Sequence, residues 1–261
     1  RLLRALGIEV DVYHFNEGHA VFAGLELMRE RIGQGHSLAT ARSEVREAVV
    51  FTTHTPVAAG NETHELDLLI EQGAGLGVFG PAELAAIGGD PFGMTVAGLR
   101  LSRIANGVAE LHGETSRRMW QDVEDSAPIV AVTNGVHAPT WQDVRVRTAY
   151  AHGTLWETHQ ALKRELLAEV RARTGVALDE NKLLIGFARR FASYKRADLI
   201  LRDLEWIGPL LAARRLQIVF AGKAHPSDGE GNRIIANLVD MSHRYVGGVT
   251  FLDNYDLRVG R

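Results

Sequence analysis

The chain of 261 residues contains no cysteine. Disulfides, thiolate metal sites and a cysteine nucleophile are therefore excluded, and a reducing compartment fits, so we expect a cytoplasmic protein. No apolar run reaches the roughly 18 residues that a membrane-spanning helix needs, so no membrane partner is predicted. The net charge is -3, and a chain without a basic excess lacks the charge pattern of a nucleic-acid-binding protein.

Apolar, β-branched runs alternate with segments of helical periodicity, which predicts an α/β fold with parallel sheets. The predicted strands are residues 9–15, 48–53, 128–133, 183–188, 216–222 and 249–252. The predicted helices are residues 18–32, 37–47, 94–119, 155–174, 195–213 and 231–244. From Leu183 onward, the order of strand, helix, strand, helix and strand is typical of a Rossmann-like sheet.

Polar segments follow the predicted strands. They are HFNEGH (14–19), TTHTP (52–56), TNGVH (133–137), RRFASYKR (189–196), GKAHPSDGEG (222–231) and DNY (253–255). Ligands of open parallel sheets bind beyond the carboxyl ends of the strands, where these loops converge. The six segments therefore form a candidate binding rim.

The segment RRFASYKR places Arg189, Arg190, Lys195 and Arg196 between a predicted strand and a predicted helix. A helix start already carries partial positive charge, and two unit charges about 4 Å apart repel by about 4 kcal/mol at an effective dielectric near 20. Such a cluster needs a negative partner, and arginine forks with a lysine suit phosphate, with room for two phosphates. The alternative is a solvated basic turn that caps the sheet.

The histidines and amides of the other segments suggest polar recognition instead of metal binding. His14 and His19 are five residues apart, which is not the spacing of a helical metal site, so no metal is predicted. The loops around His54 and Asn134 suit recognition of hydroxyl groups by a carbonyl and an amide side chain. Each histidine also has a structural alternative, as a hydrogen-bonded side chain.

Polar residues also interrupt the predicted helix 94–119. Arg103, Asn106 and His112 would lie on a helix that is otherwise small and apolar. Polar groups in such surroundings need partners, so we expect them near a cavity or in a buried network.

Taken in order, the segments closely resemble the α-glucan phosphorylases, that is, the glycogen and maltodextrin phosphorylases, and specifically their bacterial and archaeal branch. The matching segments are HFNEGHAVF, FTTHTPVAAG, MTVAGLRLSRIANGVAELHG, VTNGVHAPTW, GFARRFASYKRADLI, FAGKAHPSDGEG and TFLDNYD. The resemblance implies the GT-B fold, with two Rossmann-like domains that face each other across a cleft. Residues 1–133 would be the C-terminal part of the first domain, and residues 134–261 the start of the second, cofactor-binding domain.

The resemblance also implies an enzyme, a glycosyltransferase that uses pyridoxal 5'-phosphate. It would cleave terminal α-1,4 bonds of a glucan or maltodextrin with inorganic phosphate and release α-glucose 1-phosphate with retained configuration. Position by position, Arg190 and Lys195 match the residues that hold the substrate phosphate, and Arg189 matches the cation on the 5'-phosphate of the cofactor. Tyr255 matches a tyrosine near that cofactor phosphate.

Four further positions match residues on the sugar side. His54 corresponds to a histidine that contacts the glucose at the cleavage subsite, with its main-chain carbonyl facing the developing positive charge. Asn134 corresponds to an amide that bonds a sugar hydroxyl, while Glu17 and His19 occupy acidic-x-His positions that line the cleft. In such enzymes the cofactor phosphate exchanges the proton, so no side-chain general acid is required.

The sequence departs from this family in its lysines. The family's Schiff-base lysine follows a GTSGMK or GTGNMK motif downstream of NY, which this chain does not contain, and Asp256 stands where the animal enzymes have arginine. We therefore expect an internal fragment that is inactive alone. The alternatives are a nucleotide-sugar-dependent GT-B glycosyltransferase and a non-catalytic glucan-binding fragment. Glucan chain length, homo-oligomerisation and allosteric control stay open.

Overall fold

The structure, a computed structural model, describes residues 2–55, 57, 61–226 and 228–260. Pro56, which ends the segment TTHTP, lies outside the described residues. The chain divides into two compact units, Arg1–Gly135 (unit 1) and Val136–Arg261 (unit 2). The predicted α/β class with parallel sheets is confirmed in both. The assignment of residues 1–133 and 134–261 to two phosphorylase domains stays a prediction.

Unit 1 contains a parallel sheet of four strands. They are β1 (Tyr13–Asn16), β2 (Val49–Thr52), β5 (Ile104–Gly107) and β6 (Ile129–Ala131), paired in the order β1-β2-β5-β6. Between β2 and β5, the short strands β3 (Thr63–His64) and β4 (Phe92–Gly93) form a separate antiparallel pair. Since all four strands of the larger sheet run in one direction, their carboxyl ends share one edge.

Helices α1–α7 belong to unit 1. They are α1 (Leu2–Ala5), α2 (Val21–Gly33), α3 (Leu38–Ala48), α4 (Leu66–Glu71), α5 (Pro81–Gly88), α6 (Met94–Arg100) and α7 (Glu110–Met119). Leu25 and Met28 of α2 are fully buried in the same core as Phe51 of β2. Helix α6 packs so closely on the sheet that a Cβ at Gly98 would lie 2.7 Å from the Phe51 ring.

The predicted helix 94–119 is wrong, because the structure divides it into α6, β5 and α7. Strand β5 has few of the residues that favour strands, since it reads Ile-Ala-Asn-Gly. It forms because β2 and β6 supply hydrogen-bonding partners on both sides, and its small residues Ala105 and Gly107 are buried. Tertiary pairing therefore overrides the local helical pattern.

Unit 2 contains a second parallel sheet. Its strands are β7 (Leu183–Ala188), β8 (Leu216–Ala221) and β9 (Val249–Leu252), in the order β7-β8-β9. Its helices are α8 (Ala138–Trp141), α9 (Val144–His152), α10 (Leu155–Thr174), α11 (Leu204–Ala212), α12 (Gly229–Arg244) and α13 (Leu257–Gly260). All six residues of β8 are buried, as expected of a central strand covered on both faces.

The predicted helix 195–213 is also wrong at its start. The chain forms two 3₁₀ turns, Ser193–Lys195 and Leu199–Leu201, before α11 begins at Leu204. Arg196 between them has a left-handed backbone (φ 51°), which interrupts helical geometry, and the Asp203 carboxylate caps α11 by accepting from the Trp206 N–H at 3.1 Å. Lys195 therefore does not lie at the N-terminus of a long helix.

In the described part of the chain, no helix has both the length and the apolar character needed to cross a membrane.

Candidate functional site

Main-chain hydrogen bonds tie together the loops at the carboxyl edge of the unit 1 sheet. The N–H of Glu17, directly after β1, donates to the Thr52 carbonyl at 2.9 Å. The N–H of Asn134, three residues after β6, donates to the Val108 carbonyl at 3.2 Å. These bonds extend the pairing of the strands into the loops and hold the residues that follow β1, β2, β5 and β6 along one edge.

Glu17 and His54 form the closest polar pair at this edge. A single carboxylate oxygen, Glu17 Oε1, accepts from the His54 main-chain N–H at 2.5 Å and lies 3.0 Å from His54 Nδ1. Both side chains are partly buried, with exposed fractions of 26% and 36%. The pair joins the residues that follow two neighbouring strands.

The backbone of Glu17 is strained. Its φ of 77° and ψ of 168° lie in a region that favours glycine and costs about 1–3 kcal/mol for other residues. The turn that follows is held tightly, because a Cβ at Gly18 would lie 2.7 Å from the Cβ of Met94 in α6. The packing of this turn on α6 therefore holds Glu17 in its strained backbone conformation. A non-glycine residue at such a position suggests that its side chain, here a carboxylate, has a use.

A second polar chain crosses the strands beneath these loops. Thr52 Oγ1 donates to Asn106 Oδ1 at 2.7 Å, and His14 Nε2 lies 2.7 Å from the same hydroxyl. Since the hydroxyl hydrogen is used on Asn106, the histidine nitrogen must be the donor, so His14 carries its proton on Nε2. Asn106, predicted to need a partner, has one in this chain.

His112 holds the loop after β5. Its Nδ1 accepts from the Val108 N–H at 3.1 Å, and its Nε2 lies 3.4 Å from Ser116 Oγ. Burial lowers the pKa of His112, the charge of His54 lowers it further, and the Glu17 carboxylate partly opposes the shift. The neutral ring therefore acts as a structural acceptor, and Glu17, His54 and His112 together are called the histidine cluster.

The remaining predicted residues of unit 1 lie exposed. His19 is in the 3₁₀ turn Gly18–Ala20, and the Asn134 side chain is exposed although its main chain is anchored. Arg103 is exposed as well, so it does not lie in the buried network predicted for it. Within the described residues, neither His19 nor Asn134 makes a side-chain hydrogen bond to the histidine cluster.

In unit 2, the loop after β7 carries Arg189 and Arg190 and is anchored by two main-chain hydrogen bonds. The Arg189 N–H donates to the Ala221 carbonyl at 3.0 Å, and the Phe191 N–H donates to the Lys223 carbonyl at 2.8 Å. The Phe191 ring is only 2% exposed, so the loop is fixed in the core. Both arginine side chains stay exposed at the carboxyl edge of the sheet.

Lys195 completes a group with these two arginines, called here the cation cluster. The pKa of Lys195 is lowered, first by burial and then by the positive charges of Arg189 and Arg190. Among the residues that the structure describes, no carboxylate lies within ion-pair distance of any of the three, and nearby Asp198 pairs with Arg202 instead. The cation cluster is therefore repulsive by itself and suited to a multivalent anion.

Gly222, directly after β8, allows the loop to take this position. A Cβ at 222 would lie 2.2 Å from the Arg189 carbonyl oxygen and 2.4 Å from the Phe191 ring. Only glycine permits so close a backbone approach.

Tyr255 lies close to the same edge. Its hydroxyl donates to the Ala188 carbonyl, directly before the cation cluster, at 3.5 Å. Helix α10 holds the segment after β9, since Arg173 Nη2 donates to the main-chain carbonyl of Asp253 and, at 3.1 Å, to its carboxylate. Arg258 pairs with Glu169 of α10 at 2.9 Å.

These placements show which groups could bind a cofactor or metal. The cation cluster could hold the phosphate of a cofactor, with Tyr255 beside it. Of the lysines, Lys163 donates to the Lys182 carbonyl at 2.6 Å, and Lys195 belongs to the cation cluster. Within the described ranges, no group of three or more histidine, aspartate or glutamate residues could hold a metal ion.

Sequence reasoning missed the contribution of Thr52 and Gly222 to this geometry. The available signals were Thr52 at the end of β2 and the glycine directly after β8, since a glycine at such a place often marks the close approach of another backbone.

Comparison with curated proteins finds relatives that match almost the entire chain. The maltodextrin phosphorylase of Thermococcus litoralis is 33% identical across 100% of this chain and 37% of its own length. The glycogen phosphorylase of Mycobacterium tuberculosis is 35% identical across 96% of the chain and 36% of its own length, and that of Aquifex aeolicus is 32% identical across 98% and 45%. No protein-family model matches the chain.

These matches confirm the resemblance that the ordered segments predict. The chain spans 36% to 45% of the length of these three relatives.

Proposed function

We propose that this chain, whose sequence matches part of the glycogen and maltodextrin phosphorylases, takes part in the phosphorolysis of α-1,4-glucans within a GT-B enzyme. The observation that carries the proposal is the cation cluster of Arg189, Arg190 and Lys195, which lacks a carboxylate partner in the described part of the chain. Three cations on an anchored loop favour an anion with several oxygens, and inorganic phosphate is the cosubstrate of phosphorolysis.

Arg190 and Lys195 hold the substrate phosphate in this proposal. The planar Arg190 guanidinium can donate two parallel hydrogen bonds, while the Lys195 ammonium acts as a point charge. Each charge-assisted hydrogen bond contributes about 1.5–3 kcal/mol. The pKa of Lys195 is lowered by burial and then by the charges of Arg189 and Arg190, and a bound dianion would offset that repulsion.

The sugar side of the reaction is assigned to unit 1. Glu17 holds the His54 N–H and with it the peptide between Thr53 and His54, and the His54 carbonyl in the next peptide is assigned to face positive charge on the glucose. The exposed Asn134 amide is available for a sugar hydroxyl, and the exposed His19 side chain is available for polar contacts.

The products of the proposed reaction follow from the bonds that form and break. An oxygen of phosphate bonds to C1 of the terminal glucose, the bond from C1 to the glycosidic oxygen breaks, and a proton from the phosphate ends on that oxygen. The products are α-glucose 1-phosphate and a glucan shorter by one residue.

The cofactor proposed is pyridoxal 5'-phosphate, with Arg189 as the cation for its phosphate and Tyr255 nearby. The fit rests on the three cations of the cation cluster, which have no carboxylate partner among the described residues and could neutralise more than one phosphate. When bound, the cofactor phosphate supplies the proton exchange with the substrate phosphate. The cations of this chain would neutralise the two anions, so that the two phosphates can come within hydrogen-bond reach of each other.

The direct test measures glucose 1-phosphate released from maltodextrin by a full-length protein carrying this sequence, with pyridoxal phosphate and phosphate present. Arg190→Ala should raise the phosphate KM by about 10- to 100-fold, as expected for 1.4–3 kcal/mol of lost binding. Arg202→Ala removes an exposed arginine that is paired with Asp198 and serves as the charge control. An unchanged phosphate KM in Arg190→Ala would remove Arg190 from this role.

The same assay separates the alternatives. Transfer of glucose from ADP-glucose without any activity toward phosphate would identify a nucleotide-sugar-dependent glycosyltransferase. Maltodextrin binding that is indifferent to phosphate and to pyridoxal phosphate would identify a glucan-binding module.

A further inference from the structure

We infer that Glu17 is a positioning residue, which acts through His54 and is not itself the group that binds the sugar. Glu17 Oε1 contacts His54 twice, once at the main-chain N–H and once at the ring Nδ1. This inference rests on the proposed function, because it refines which group of the histidine cluster meets the sugar.

The contact with the ring determines where His54 carries its proton. An ionised carboxylate can only accept hydrogen bonds, so Nδ1 must be the donor. In the neutral ring, Nε2 is then left with its lone pair, and it can accept a hydrogen bond from a sugar hydroxyl. Glu17 thereby selects the tautomer that suits a ligand rich in hydroxyl groups.

The contact with the main chain determines the direction of the peptide between Thr53 and His54. Because the His54 N–H is held by the carboxylate, rotation of that peptide plane would break a charge-assisted hydrogen bond. One carboxylate thus holds both the ring of His54 and the peptide that leads into it.

The strained backbone of Glu17 supports a functional origin for this arrangement. Glycine would adopt the φ of 77° without strain, yet it would supply no carboxylate. The position is held by the Glu17 N–H bond to the Thr52 carbonyl and by the packing of Gly18 on Met94. The fold therefore keeps an unfavourable residue at a place where only its side chain has a use.

Among the described residues, His112 interacts electrostatically with both members of this pair. Its Nδ1 is already used by the Val108 N–H, so it does not compete for the Glu17 carboxylate as a donor through that nitrogen. The Nε2 of His14 is likewise already used, since it bonds to Thr52 Oγ1.

The test uses ¹⁵N chemical shifts of the histidine rings in the 261-residue chain, compared with Glu17→Gly and Glu17→Ala. We expect His54 protonated on Nδ1 in the wild type, and an Nε2-protonated or mixed ring in both variants. Glycine removes the carboxylate together with the strain, so it keeps the test valid if the alanine variant folds poorly. Glu44→Ala is the matched control. It removes a carboxylate that lies 3.0 Å from Nδ1 of another histidine, His36, in a pair of similar exposure, and it should leave the His54 ring unchanged.

A second measurement connects the tautomer with the reaction in the full-length protein. Glu17→Gly should lower kcat by about 10- to 100-fold, as for a misplaced group, while the phosphate KM stays within about twofold. Wild-type His54 in the Nε2-protonated form, or an unchanged tautomer in the variants, would overturn the inference. So would a loss of glucan affinity in Glu17→Gly with the His54 tautomer unchanged, since Glu17 would then bind the sugar directly.

The two measurements also separate this inference from the proposed function. A wild-type protein without phosphorolysis would refute the proposed function. The ring spectra require no substrate, so they would still measure whether Glu17 positions His54.

Discussion

Replacing Gly222 by alanine should move the loop that carries the cation cluster. The new Cβ would lie 2.2 Å from the Arg189 carbonyl oxygen and 2.4 Å from Cε2 of Phe191, and neither neighbour can easily move away. The carbonyl belongs to the backbone, and the Phe191 ring is stacked on Phe187 with 5.9 Å between the ring centroids. Overpacking of this kind costs about 1–3 kcal/mol. We expect the upper end, which is about a 100-fold drop in the folding equilibrium constant.

Urea denaturation followed by circular dichroism measures this loss. Gly186→Ala is the matched control, because Gly186 lies in β7 and a Cβ there would meet nothing within 4 Å. We expect the free energy of unfolding of the control to stay within about 0.5 kcal/mol of the wild type. Equal stability of Gly222→Ala and Gly186→Ala would refute the reasoning that glycine is required for the approach of the two loops.

Other predictions use buried or titrating groups. Lys195→Met should raise the free energy of unfolding at pH 7, because the lowered pKa of Lys195 means that the folded state disfavours its charge. In denaturation curves recorded over a pH series, this gain should disappear above pH 10.5, the usual pKa of lysine, where the side chain is neutral in both states. His112→Gln should reduce the stability lost as the pH falls below 6.5, since the wild-type ring is kept neutral by burial; a parallel loss in both proteins would contradict this. Thr250→Val should stabilise unit 2 by about 1 kcal/mol in thermal unfolding, because the Thr250 hydroxyl is buried and has no hydrogen-bond partner among the described residues.

The predicted strands of unit 2 agree closely with the structure because each is a continuous, mainly apolar run. Strand β8 is the clearest case, with six consecutive buried residues. Strand β5 could not be recognised, because its residues gain their preference for a strand only from pairing with β2 and β6. Periodicity in one chain segment carries no information on such distant partners.

The candidate site likewise has one part that could be predicted from the sequence and one part that could not. The cation cluster could be predicted because Arg189, Arg190 and Lys195 are close in sequence, and like charges held together require an explanation. The pairing of Glu17 with His54 could not, since the two residues are 37 positions apart and meet only through the register of β1 against β2. The tautomer of His54 follows from that register and from no local pattern.

The most direct test of the account is a calorimetric titration of the 261-residue chain with inorganic phosphate. We expect saturable binding that weakens by about 10- to 100-fold in Arg190→Ala and stays unchanged in the control Arg202→Ala. Binding that is absent, or that weakens equally in both variants, would contradict the claim that the cation cluster is a phosphate site.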